Sequence, residues 1–84
     1  MKILLADDHF LVLEGLEVLL STFPFVEKTC SALNFMQLKD LMKQETFDVL
    51  LLDIHFGKDD GREIIQKIKQ LMPEMKIIAL TSHS

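Results

Sequence analysis

A chain of 84 residues holds at most one domain, near the size where a single core is marginal without disulfides, a metal or a partner. With 49% apolar and 26% charged residues, three Gly and two Pro, it is neither disordered nor of low complexity. The net charge of -4, with its nine basic residues scattered, argues against a nucleic-acid surface within these residues, because binding phosphates takes clustered Lys and Arg.

In chain order, "MKILLADDH" opens with a short apolar run that acids interrupt before a leader core or a membrane span is complete. Ile3, Leu4, Leu5 and Ala6 read as a buried strand stopped by Asp7 and Asp8. From about Phe10 to Thr22 the spacing predicts a helix with Leu13, Leu16, Val18, Leu19 and Leu20 mostly on one side, ended before Pro24. "VEKTCSAL" alternates apolar and polar residues, as a strand nearer a sheet edge does. The lone cysteine, Cys30, lies in it and reads as packing; a single thiol fits a reducing, cytoplasmic compartment.

Asn34 can cap a helix carrying Phe35, Leu38, Leu41 and Met42. "FDVLLLD" is a third strand, its unbroken apolar run predicting cover on both faces, and it ends on Asp53. Asp60 can cap a helix carrying Ile64, Ile65, Ile68, Leu71 and Met72 that stops at Pro73. "MKIIALTS" gives a fourth strand ending on Thr81 and Ser82. Alternating strands and helices imply an α/β doubly wound, parallel open sheet with helices on both faces and its ligand site beyond the carboxyl ends of the strands.

Asp7, Asp8, Asp53 and Thr81 then share one rim. Carboxylates brought together repel and lose water, so a compensating cation is expected. Mg²⁺ suits them: a hard cation held by Asp8 and Asp53, with Asp7 acting through water and a backbone carbonyl near His55. A carboxylate beside such a cation can attack phosphorus and form an acyl phosphate. Asp53, ending the central strand, is the candidate, with Thr81 donating a hydroxyl to a phosphoryl oxygen. His9, His55 and His83 fall on the same rim, but without a compact ligand motif they read as solvated loop residues. Asp59 and Asp60 read as loop and cap, and "GKDDGRE" lacks the residues of a phosphate-binding P-loop.

"ILLADDH", "VLLLDI...DG" and "IIALTS" resemble, in order and spacing, the receiver domain of bacterial two-component response regulators, and the resemblance runs the length of the chain. "ADDHFLVLEGLEVLL" is similar to the subfamily whose receivers precede a LuxR-type helix-turn-helix DNA-binding domain. The resemblance implies a flavodoxin-like fold with strand order 2-1-3-4. It makes Asp53 the phosphoacceptor, Asp7 and Asp8 the Mg²⁺ pair, Thr81 the hydroxyl that reports phosphorylation, and a sensor histidine kinase the donor. DNA contact would belong to a C-terminal domain outside these residues, and no membrane contact is implied.

Two departures stand out. Family members commonly carry Pro where this sequence has Gly57. They also continue with another helix, a fifth strand bearing a catalytic Lys, and a last helix. Residues 1–84 therefore read as the N-terminal portion of a receiver, with an exposed fourth strand open to homodimer formation or element exchange. Two other classes stay open: a metal-dependent phosphatase with Asp53 as nucleophile, although His55 stands where its general acid would be, and a receiver-like interaction module that is never phosphorylated.

Overall fold

In the computed structural model, which describes residues 1–57 and 61–80, the elements alternate as the apolar pattern predicts. They are β1 (Lys2–Ala6), α1 (Phe10–Ser21), β2 (Lys28–Ala32), α2 (Phe35–Gln44), β3 (Val49–Asp53), α3 (Gly61–Leu71) and β4 (Lys76–Leu80). All pairings are parallel and the strand order is β2-β1-β3-β4. Parallel neighbours need crossovers, and the helices supply them.

Side chains alternate across each strand, so the sheet divides the apolar residues into two cores. Leu4, Ala6, Leu50 and Leu52 face α2 and α3, packing with Leu38, Met42, Ile64, Ile68 and the loop residue Phe56. Ile3 and Leu5 face α1, where Leu13 is buried and Leu16, Leu20 and Leu51 pack around it. The sheet is therefore doubly wound, with two helices on one face and one on the other.

Two expectations need correction here. Val18 and Leu19 are 69% and 54% exposed rather than packed with Leu13, because the side of α1 that meets the sheet runs through Leu13, Leu16 and Leu20. The apolar run of β3 is covered fully on one face only: Leu50 and Leu52 are buried, whereas Leu51 is half-buried on the side that a single helix covers. Beyond it Ile78 and Leu80 on β4, the outer strand of the described sheet, are 42% and 36% exposed.

Asn34 caps α2 as predicted, its Oδ1 accepting the Gln37 N–H at 2.9 Å, while Gln37 Oε1 accepts the Leu33 N–H. Asp59 and Asp60, expected as loop and cap before α3, lie outside the described residues.

Candidate functional site

β1 and β3 are adjacent with Ala6 opposite Leu52, so register alone brings the next residues, Asp7 and Asp53, to neighbouring places on the carboxyl rim. β2 lies outside β1 and β4 outside β3, which makes this gap the point where the strand order reverses. Open sheets bind ligands in that crevice.

The two strands end in the same local device. Asp7 Oδ1 accepts the backbone N–H of His9 at 2.8 Å, and Asp53 Oδ1 accepts that of His55 at 3.1 Å. An Asp bonded to the backbone two residues on turns the chain while fixing its own rotamer. After β3 the Phe56 N–H also donates to the Asp53 carbonyl at 2.9 Å, closing the turn. One oxygen of Asp53 is thereby tied down, and the other is left to the crevice.

That second oxygen is the unusual atom of the structure. The Asp53 side chain is only 4% exposed, and its Oδ2 has no hydrogen-bond partner among the described residues. Desolvating an ion without compensation costs several kcal/mol. Asp7 is nearly as buried, whereas Asp8 reaches water. The donor oxygens of Asp7, Asp8 and Asp53, with a ring nitrogen of His9, all lie within 4.8 Å of one another. Three convergent carboxylates, one carrying a buried oxygen without a hydrogen-bond partner among the described residues, fit a cation.

His9 is the residue that sequence reasoning underrated. Its Nδ1 lies 2.7 Å from Asp7 Oδ1, 3.1 Å from Asp8 Oδ1 and 3.9 Å from Asp53 Oδ2. The available signal was its place two residues after Asp7, within reach of the turn that Asp7 makes. The hydrogen bond to Asp7, with the charges of Asp7 and Asp8 and more weakly Asp53, raises the His9 pKa above the ordinary 6.5.

The sign of the linked stability follows. Protonated His9 favours the folded state fully below pH 6.5, and this contribution fades as pH rises through the higher folded pKa. In metal-free protein the His9 ring protons, followed by NMR, should titrate with a midpoint above 6.5, and Asp7→Asn should bring the midpoint down. A wild-type midpoint at or below 6.5 would contradict this geometry.

Of the other expected site residues, His55 sits in the turn beside Asp53 with an exposed side chain. Thr81 and His83 lie outside the described residues. Cys30 is half-buried, its thiol pushed up chiefly by burial, as suits a packing residue. Gly57 has φ of +75°, a left-handed conformation that proline's fixed negative φ cannot adopt, so this turn is built differently from one carrying Pro there. A cleft of about 540 Å³ lies at the other end of the sheet, between Thr46–Asp48 and Leu71–Met75. Of the two acids that line it, Asp48 is exposed and accepts the Lys2 N–H at 2.7 Å.

An open doubly wound sheet with an acidic, cation-fitting crevice at its switch point defines a flavodoxin-like α/β domain. The family model of the response regulator receiver domain matches residues 3–84, and the chain belongs to that family. Over all its 84 residues it is 33% identical to the uncharacterized transcriptional regulatory protein YhcZ of Bacillus subtilis, covering 39% of that protein. With the transcriptional regulatory protein MctR of Rhizobium johnstonii it shares 30% identity over 98% of this chain and 38% of MctR.

Among solved structures, RcsB from Salmonella enterica serovar Typhimurium, bound to promoter rprA with phosphomimetic BeF3-, superposes with a TM-score of 0.90 at 28% identity, covering all of this chain and 43% of that one. A response regulator from Burkholderia pseudomallei, solved with a phosphorylated aspartic acid, a calcium ion and citrate, gives 0.84 at 25% identity over 99% of this chain and 48% of that chain. The chain thus spans about two-fifths of the two curated relatives named.

Proposed function

We propose that Asp53 is the phosphoacceptor of a two-component response regulator, taking its phosphoryl group from a sensor histidine kinase while Asp7, Asp8 and Asp53 hold Mg²⁺. The observation that carries this reading is Asp53 Oδ2, buried and without a hydrogen-bond partner among the described residues, facing the crevice that Asp7 and Asp8 line. His55 N–H holds Oδ1, which leaves Oδ2 as the nucleophile. Its lone pair attacks phosphorus, the bond from phosphorus to the donor's imidazole nitrogen breaks with the electron pair going to nitrogen, and an acyl phosphate forms on Asp53. A divalent cation supplies charge neutralisation for the phosphoryl oxygens.

Supporting roles go to the backbone carbonyl of His55 as a further oxygen ligand and to Thr81 as the hydroxyl that meets the phosphoryl group. The product is a modified side chain rather than a released compound, so the chain acts as a switch and not as a turnover enzyme. The histidine at 55, in place of a second acid, disfavours the phosphatase alternative. Phosphorylation adds charge at the rim and biases two packings of the neighbouring loop and helix. Transcription control in the cytoplasm is the proposed output, supported by relatives named as transcriptional regulators. DNA contact would fall to another domain, since these residues carry a net charge of -4. No helix among the described residues is long and apolar enough to cross a membrane.

The test is incubation with Mg²⁺ and a small acyl phosphate donor, read by intact mass. Wild type should gain one phosphoryl group and Asp53→Asn none. Equal uptake by the two proteins would overturn the assignment.

A further inference from the structure

We infer that the His9 side chain is itself a ligand of the cation site, making it a mixed nitrogen and oxygen site that takes a first-row transition cation such as Mn²⁺ or Co²⁺ in preference to Mg²⁺. This rests on the reading that Asp7, Asp8 and Asp53 bind a cation. Ligand atoms held at about 2.1 Å from an octahedral ion stand about 3.0 Å apart when adjacent and about 4.2 Å apart when opposed. His9 Nδ1 stands 2.7, 3.1 and 3.9 Å from the nearest oxygens of Asp7, Asp8 and Asp53, spacings close to those between ligands of one ion, and the four donor atoms lie within 4.8 Å of one another. Asp53 Oδ2, buried and without a hydrogen-bond partner among the described residues, marks this crevice as built for a ligand.

The local chain holds the ring in place. His9 is fixed through its own N–H to Asp7 Oδ1 and is the N-cap of α1, so its backbone moves only with β1 and α1. On binding, the ion replaces the proton on Nδ1, which leaves to water. Imidazole nitrogen is a good ligand for Mn²⁺, Co²⁺, Ni²⁺ and Zn²⁺ and a poor one for Mg²⁺, which holds oxygen and water. Carboxylates bind Mn²⁺ and Co²⁺ as well as Mg²⁺, and the His9 nitrogen widens the margin in favour of the transition cations.

The experiment titrates the whole chain with MgCl₂, MnCl₂ and CoCl₂ by calorimetry, for wild type, His9→Gln and Asp53→Asn, with pulsed EPR of the Mn²⁺ complex. The His9 side chain is 62% exposed, so its replacement leaves the core intact. Wild type should show nitrogen hyperfine coupling to Mn²⁺ that His9→Gln loses, and that variant should bind Co²⁺ about ten-fold or more weakly without weakening toward Mg²⁺. Cation binding that Asp53→Asn abolishes but His9→Gln leaves unchanged, with no nitrogen coupling, would overturn the inference and spare the cation site. Absence of any cation binding to wild type would overturn both.

Discussion

Phe56→Ala is expected to destabilise this chain by about 3–5 kcal/mol, the usual cost of deleting a buried aromatic ring. Phe56 is fully buried and the largest such side chain among the described residues, set among Leu50, Leu52, Ile64 and Ile68. A domain of 84 residues has on the order of 4–13 kcal/mol of stability in total, so the loss could consume most of it. The effect reaches the site as well. Phe56 closes the turn after β3 through its N–H to the Asp53 carbonyl, and its ring anchors that turn to the α2 and α3 core. Urea unfolding should therefore show a much lower midpoint for Phe56→Ala. Phe56→Leu, which keeps an apolar side chain there, should lose less and allow cation affinity to be compared in folded protein. A loss under about 1 kcal/mol for the alanine variant would show that the ring does not anchor the core.

Mg²⁺ at ten times its dissociation constant is expected to raise the unfolding free energy by about 1.4 kcal/mol. For a domain of this size that is a rise in Tm of roughly 6–11 °C. The physical source is relief of carboxylate repulsion at Asp7, Asp8 and Asp53, which the ring of His9 offsets in part in the metal-free protein. A chelator should reverse the gain. Asp53→Asn should abolish most of it while itself stabilising the metal-free protein, because it removes the charge from a buried oxygen that lacks a hydrogen-bond partner among the described residues. Calorimetry at constant ionic strength separates specific binding from screening. The same rise in Tm for wild type and Asp53→Asn would refute a site centred on these acids.

Much of this protein was legible before any coordinates. Short apolar runs alternating with helical spacing determined the seven elements, and acids stopping β1 and β3 determined that Asp7, Asp8 and Asp53 would share a rim, because parallel strands end on the same side. Asn34 announced its cap by residue type. These features are local or follow from strand direction, so pattern suffices for them. The face of α1 that packs was another matter: Val18 and Leu19 are as apolar as Leu16 and Leu20, and only docking on the sheet left the first two in water. The seat of His9 among three carboxylates was likewise decided in three dimensions. It depends on the register of Ala6 against Leu52 and on the turn that Asp7 makes with the His9 N–H, and distances between atoms of different strands are set by packing rather than by residue order.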